Sequence, residues 1–362
     1  MLKVIELFAG IGAQREALKE ANIDHEVVAI SEIDKYAIEA YKLLHGDTFN
    51  LGDIKKIAKL PQADLWTYSF PCTDISLAGK LGGFEKGSNT SSSLLWEVQR
   101  LLSVSKENNE LPKYLLLENV KNLVSKKFKP LFQIWLDYLT SLGYKNYYQV
   151  LNAKDYGIPQ NRERVFCVSI RGEHKPFVFP KKQELKLKLK DLLEEEVDEK
   201  FYLSQKMIDC FNRKIKKEIA GTITTCVSAS NSTFIAQKKE NKPICINSKG
   251  GRKGINGLQP SLTDRIYDSS GLAVCITSSS YFMPKYVVIV PQKTKAGYAI
   301  AIRKLTPREC LRLMGWHDQD IDKLINANIS NAQLYKLAGN SIVVNVLIGI
   351  FSQLFINMQT IN

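Results

Sequence analysis

The chain has no Cys-x-x-Cys pair, and its four histidines are not clustered, so the ligand spacing of a structural zinc site is missing. Its seven cysteines are scattered and odd in number, which fits a reducing compartment better than a disulfide framework. No uninterrupted apolar run approaches the ~20 residues of a bilayer span. No signal-peptide cleavage pattern follows the opening residues. A cytoplasmic protein with no membrane partner is therefore expected. A Gly-rich phosphate loop ending in Lys-Ser or Lys-Thr is also missing, which argues against a nucleoside triphosphate pocket. Acidic residues are in short supply: 37 Asp and Glu face 50 Lys and Arg, a net charge of +13 in 362 residues. That excess favours a polyanion such as nucleic acid, although a lysine-rich solubilising surface carries the same sign.

What is present has a clear order. Short apolar runs expected to be strands occur at residues 2–7, 27–31, 65–70, 114–117, 147–151 and 165–170. Helical stretches lie near 13–21, 34–44, 94–104 and 131–142. Strands separated by helices imply parallel crossovers in a layered α/β domain. After Arg171 the composition shifts. Residues 181–200 are rich in Lys and Glu and read as solvated helix, linker, or both. Between 219 and 302, Ser, Thr, Asn, Gly and β-branched residues dominate, suggesting short strands and long turns. Helical character returns at Leu305, where Thr306 before Pro307 makes an N-cap and first turn, and ends in an apolar run over 341–350. The pattern is an α/β domain interrupted by a smaller, loop-rich one.

Several residues stand where chemistry is possible. Glu6-Leu7-Phe8-Ala9-Gly10-Ile11-Gly12 puts glycines directly after the first strand, where they let backbone approach a ligand; a tight strand-to-helix turn explains them as well. Glu32 ends the second strand, where an acid can accept ribose hydroxyls, and Asp53 is a further polar candidate in that crevice. Cys72 follows Pro71 at the carboxyl edge of the third strand, although most lone cysteines are small buried hydrophobes. Glu118-Asn119-Val120 ends the next strand, so Cys72 and Glu118 can face one pocket. Gln160-Asn161-Arg162-Glu163-Arg164 reads alone as either a solvated turn or a site. Cys167 and Cys275 lie in strand-like apolar runs and are not expected to carry a covalent adduct.

Taken in order, Phe8-Ala9-Gly10-Ile11-Gly12, Pro71-Cys72, Glu118-Asn119-Val120, Gln160 to Arg164, Arg303 to Cys310 and Gly339-Asn340-Ser341 resemble the motifs of the DNA (cytosine-5) methyltransferases. The resemblance implies a Rossmann-like S-adenosylmethionine-dependent methyltransferase fold with helices on both faces. A smaller loop- and strand-rich target-recognition domain accompanies it. The implied divisions are residues 1–178 for the first part of the catalytic and cofactor domain, 179–302 for recognition with its hinge, and 303–362 for the returning segment.

By the same resemblance, the Cys72 thiolate adds to C6 of a flipped cytosine, a role suited to a thiol of pKa ~8.5. Glu118 then sits at N3, Arg164 holds the cytosine carbonyl and backbone, and Arg162 positions Glu118. Phe8, Gly10, Gly12, Glu32, Asp53, Pro71, Asn340 and Ser341 are implied to line the S-adenosylmethionine pocket. The implied partner is double-stranded DNA with a short recognition sequence. A cognate restriction endonuclease is implied in function rather than in complex, and a monomer is expected. The Gly-rich stretch 73–89 resembles the family's mobile loop, with Lys80 and Lys86 for phosphates. Arg252 and Arg265 are candidates for a guanine edge and Lys253 for phosphate, although surface residues beside turns explain them equally.

One departure stands out. Family members often carry an arginine within the segment that here reads Ser88-Asn89-Thr90-Ser91-Ser92-Ser93. Two alternatives remain at this point: a transfer-RNA (cytosine-5) methyltransferase, and a non-catalytic nucleic-acid-binding homologue. Retention of Cys72, Glu118, Arg162 and Arg164 together disfavours the second.

Overall fold

The computed structural model describes residues 1–72, 74–75, 83, 85–88, 90–202, 266–268, 271–276, 287–294 and 297–357. The expected alternation is found as β1 (Leu2–Leu7), α1 (Ala13–Glu20), β2 (His25–Ser31), α2 (Lys35–His45), β3 (Leu65–Tyr68), α3 (Leu95–Glu107), β4 (Tyr114–Val120), α4 (Lys129–Ser141) and β5 (Tyr144–Asn152). The short β6 (Gln160–Asn161) and the longer β7 (Glu163–Arg171) follow. Six strands form one sheet in the order β2-β1-β3-β4-β7-β5. β1 to β4 are parallel, as helical crossovers require. β7 is antiparallel to both β4 and β5, so the parallel crossovers expected for helix-separated strands stop at β5. The reason is the connection. α4 carries the chain from β4 past one vacant position to β5, whereas only a 3₁₀ turn (Ala153–Tyr156) and β6 separate β5 from β7. That link is too short for a crossover, so β7 inserts in reverse.

Alternation along the strands divides the core between the two faces of the sheet. Val4, Leu116, Phe166, Val168 and Ile170 point to the face covered by α1 and α2. Ile5, Leu7, Leu115, Leu117 and Val165 point to the face covered by α3 and α4. The strand order reverses direction between β1 and β3, and a crevice opens beyond the carboxyl ends at such a point.

The later chain contributes β8 (Ile266–Asp268), β9 (Ala273–Val274), β10 (Val287–Thr294) and β11 (Gly297–Lys304). It then returns as α5 (Pro307–Arg312), α6 (Asp318–Asn326), α7 (Asn331–Asn340) and α8 (Val344–Phe351). Leu311, Met314, Val344, Leu347 and Ile350 join Ala17 and Leu18 in one cluster, with α8 lying along α1. The stretch Asn331–Ile356 is long and apolar enough, at mean hydropathy 1.7, to cross a membrane by length and composition, although Asn340, Ser341 and Asn345 keep it from being an uninterrupted apolar run. It is 61% buried inside the fold, and helices apolar all round are core helices when so covered.

The return begins at a capped and ion-paired junction. Thr306 caps α5 in a reciprocal box with Glu309, behind Pro307, as expected. Glu309, fully buried, takes Arg303 in a two-pronged pair at 2.8 and 2.7 Å. Its carboxylate also accepts the amide of Glu194 at 2.8 Å. The Lys/Glu-rich stretch is thus neither long helix nor free linker where it meets the junction. It has two short 3₁₀ turns, and Glu194 bonds Thr306 and Arg308. Glu309→Ala leaves the Arg303 guanidinium buried and unpaired, and is expected to destabilise the protein by about 3–5 kcal/mol. A wild-type midpoint in a denaturant titration of the variant would show that the junction does not depend on this pair.

Candidate active site

At the first strand's end, the backbone turns through left-handed conformations at Phe8 (φ 58°), Gly10 (φ 57°) and Gly12 (φ 76°). The two glycines serve different ends. A Cβ on Gly12 would stand 2.5 Å from His45 Nε2, so Gly12 is needed for packing. A Cβ on Gly10 would meet nothing within 4 Å, so Gly10 borders open space. Glu32 closes this turn: one carboxylate oxygen accepts Gly10 N at 2.9 Å, the other Ile33 N at 2.8 Å and Asp34 N at 2.9 Å. A carboxylate has about four acceptor sites, so capacity remains for a ligand hydroxyl. Asn50 holds the backbone of Glu32 from the next loop, and Asp53 caps a 3₁₀ turn through Lys55 N at 3.0 Å. Ile33, beside Glu32, is 72% exposed. Sequence reasoning passed over it, since one isoleucine after a strand carries no signal until its exposure is known.

Four residues beyond β3, Cys72 stands in the turn at the carboxyl edge of the sheet. Asn119 Nδ2 anchors the approach by donating to Phe70 O at 2.9 Å. Glu118 lies within β4, almost buried, because that strand runs on to Val120 rather than ending at Leu117. The antiparallel register sets Val120 opposite Arg164 and Phe166 opposite Glu118, which makes Glu118 and Arg164 diagonal neighbours. Arg164 Nε reaches Glu118 Oε1 at 3.3 Å. Burial pushes the Cys72 thiol above its ordinary value; Arg164 pulls it down, Glu118 pushes it up, and Arg162 pulls it down again. A half-buried thiol, a carboxylate and two guanidiniums therefore share one electrostatic pocket, an arrangement suited to thiol addition with proton transfer.

The C-5 cytosine-specific DNA methylase family matches residues 2–355. This chain belongs to that family. It is 37% identical to the Type II methyltransferase M2.ScrFI of Lactococcus lactis subsp. cremoris, over 98% of this chain and 99% of that protein. It is 31% identical to the orphan methyltransferase M.SPBetaI of Bacillus phage SPbeta, over 98% and 97% of the two chains. The crystal structure of S. pombe Dnmt2 methyltransferase shares the fold at a TM-score of 0.66 and 20% identity, covering 98% of each chain. The activity is methyl transfer from S-adenosylmethionine to C5 of cytosine in DNA. The RNA and non-catalytic alternatives give way to it.

In this methyltransferase the two arginines divide their work differently from the expectation. Arg164, not Arg162, meets Glu118. Arg162 is 4% exposed, and its guanidinium donates to three carbonyls: Ile276 O at 2.6 Å, Ser341 O at 2.8 Å and Gly339 O at 3.1 Å. It ties the arginine motif to β9's exit and to the Gly339–Ser341 turn. Gln160 joins the same seam, donating to Leu313 O at 2.7 Å and accepting Ile276 N at 3.3 Å.

Cys275 reaches the same arginines: its Sγ accepts Arg162 Nη1 at 3.5 Å and Arg164 Nη2 at 3.6 Å. Burial opposes ionisation of this thiol, but the two guanidiniums outweigh it and bring the thiol below its ordinary value. Nothing in the sequence pointed to it, because its partners are more than a hundred positions away. Cys167 is buried, and burial pushes its thiol up to about 12.

Other expected positions fall out as follows. Pro71 precedes Cys72 in the same turn, half-buried. Asn340 is exposed at the end of α7. The hydroxyl of buried Ser341 donates to Ile342 O at 3.2 Å and accepts Trp316 Nε1 at 3.4 Å. Lys86 is exposed. Lys80, Arg252, Lys253 and Arg265 lie outside the described residues. Where the family arginine is missing, hydroxyls bind the loop: Ser93 Oγ donates to Ser88 O at 2.8 Å, and Thr90 Oγ1 to Gly83 O at 3.1 Å.

Proposed function

We propose that Cys72 is the nucleophile, Glu118 holds and protonates N3 of the base, and Arg164 orients Glu118 while drawing the thiol toward thiolate. The observation that carries this reading is the 3.3 Å Arg164–Glu118 pair in the pocket of the Cys72 thiol. Addition of the Cys72 sulfur to C6 puts electron density on C5, which on its own is a poor nucleophile. A proton from Glu118 at N3 keeps negative charge from building up on the ring as the C6–S bond forms. Arg164 also holds the cytosine carbonyl. Once C5 carries the methyl group, water takes the C5 proton, the electron pair of that C–H bond expels the Cys72 thiolate from C6, and N3 returns its proton to Glu118. Arg162 acts at one remove, fixing the wall on which Arg164 stands.

Glu32, Gly10, Phe8, Ile33 and Asp53 form the cofactor cradle in this reading, with Gly12, Pro71, Asn340 and Ser341 shaping its walls. The open space at Gly10, the exposed apolar surface of Ile33 and the spare acceptor capacity of Glu32 suit an adenosine group with ribose hydroxyls. Bound S-adenosylmethionine supplies the activated methyl carbon.

Residues 1–178 and 303–362 form the catalytic unit in this proposal, and 179–302 read the target through Arg252 and Arg265, with Lys253 on phosphate. The target is a short sequence in duplex DNA. The first-named relative is a Type II methyltransferase, which supports a counterpart endonuclease that reads the same site without forming a complex. Methylating mixed genomic DNA with labelled cofactor, followed by bisulfite sequencing, tests the reading. Modified cytosines scattered without a shared sequence would defeat it, and transfer RNA run in parallel is expected to take up no label.

The charge of +13 yields a separate expectation. Neutralising about six phosphates releases their counterions, so noncognate duplex affinity should fall by roughly 10³-fold between 50 and 200 mM salt. Fluorescence anisotropy over that range measures the slope. Binding independent of salt would remove the phosphate-tracking surface.

A further inference from the structure

We propose that Ser92 and Asp74 are positioning residues: a reciprocal clamp around the Cys72 turn that decides where the thiol stands. This rests on Cys72 being the nucleophile, as argued above. Pro71, Cys72, Asp74 and Ile75 belong to no helix or strand, so their geometry depends on hydrogen bonds from outside. Ser92, at 0% exposure, supplies them on both sides of the cysteine. Its hydroxyl donates to Pro71 O at 2.7 Å, one residue before Cys72, and accepts Asp74 N at 3.2 Å, two residues after it. The clamp is closed by the return bond from Ser92 N to Asp74 Oδ2 at 3.2 Å. A hydroxyl has one proton to give, and here it goes to the strand side of Cys72 while a lone pair serves the loop side.

The clamp has a rigid base. Ser92 belongs to the 3₁₀ turn Ser91–Leu94 that leads into α3, and Leu95, Val98, Leu101 and Leu102 of that helix are buried in the core. The neighbouring hydroxyls of Ser88, Thr90 and Ser93 bond within residues 83–93 and do not hold the nucleophile's turn. Other bonds brace single points: Ile75 N to Cys72 O at 3.2 Å, Gly83 N to Asp74 O at 2.9 Å, and Asn122 Nδ2 to Ile75 O at 2.6 Å. Ser92 alone among the described residues spans the cysteine. This is also the segment that lacks the family's arginine, so the tether between loop and helix here is made of hydroxyl bonds.

A reacting atom displaced by about 1 Å costs on the order of 10²-fold in rate. Ser92→Ala is therefore expected to slow both single-turnover methyl transfer and adduct formation between Cys72 and 5-fluorocytosine DNA by about 10²-fold. KM for DNA and cofactor affinity should stay within about twofold, since an effect confined to kcat marks a lost transition-state alignment. Asp74→Ala should slow adduct formation too, and Asp74→Asn, which keeps an acceptor for Ser92 N, should restore most of the rate. If Ser92→Ala does not fold, as judged by lost cofactor binding, the Asp74 pair decides the matter. Wild-type adduct rates in Ser92→Ala or Asp74→Ala, losses carried by KM, or no rescue by Asp74→Asn would overturn the clamp and leave the nucleophile standing. Failure of the wild-type protein to form an adduct on Cys72 would overturn the nucleophile, and the clamp with it.

Discussion

Cys72→Ser is expected to form no covalent complex with duplex DNA carrying 5-fluorocytosine at the target, and to lose methyl transfer by on the order of 10⁴-fold or more. The wild-type protein should be trapped on the same DNA. After Cys72 adds to C6 and C5 takes the methyl group, fluorine occupies the place of the proton that must leave C5. Elimination is blocked and the C6–S bond persists. A serine hydroxyl at neutral pH is a far weaker nucleophile than a thiol. The cofactor cradle begins at β1 and β2 and includes no Cys72 side-chain bond, so cofactor affinity should survive. Peptide mass spectrometry of the trapped complex identifies the cysteine. Cys275 is the informative competitor, because it faces the same two arginines and its thiol is brought down. Cys167, buried and pushed up to about 12, serves as the silent control. An adduct on Cys275, or a Cys72→Ser protein that turns over near the wild-type rate, would overturn the assignment.

Arg164→Gln should cost about 10²–10³-fold in kcat/KM, the usual loss when an electrostatic partner of the reacting groups is removed. Its second effect has a definite sign. A positive charge near a thiol favours the thiolate, so Arg164 holds the Cys72 thiol down against burial. Without it, that thiol rises further. Alkylation of Cys72 by iodoacetamide increases as pH rises through the thiol's own value, and this limb should shift to higher pH in Arg164→Gln. At a fixed neutral pH the variant should therefore label more slowly. Glu118 also loses the ion-pair partner that orients it. A limb that stays in place, or moves to lower pH, would show that Arg164 does not act on the thiol. Cys72→Ser provides the background labelling from other cysteines.

The legible part of the fold was the part with period and punctuation. β1 was expected at 2–7 and found there, because a buried run ends in glycines whose left-handed backbone closes the turn. Thr306 and Pro307 announced the start of α5 by residue type alone. The reversal of β7 was not legible in its apolar pattern. Parallel and antiparallel strands have the same apolar run when both faces are covered, and only the absence of a helix between β5 and β7 decides the direction. The apolar run of β4 stops at Leu117, yet Glu118 and Asn119, polar as they are, pair with β7 as Val120 does, so pairing and not apolar pattern sets that end of the strand.

The sequence by itself determined the chemistry available to this protein: a cysteine after a strand, a glutamate at the end of the next, two arginines one residue apart, and glycines and an acid at the cofactor end. Those are local facts of residue type and order. Tertiary structure decided which of them meet. The β4–β7 register selects Arg164 over Arg162 as the partner of Glu118, because diagonal neighbours across strands are set by pairing and not by proximity in the chain. Arg162 turns instead to carbonyls contributed by Ile276, Gly339 and Ser341. Cys275 enters the pocket from a segment whose composition suggested only a strand. Ser92 reaches back around Cys72 from the start of α3, twenty residues later. Each of these depends on where a side chain points after distant segments have packed, and hydrogen bonds and charge pairs act over only a few ångströms.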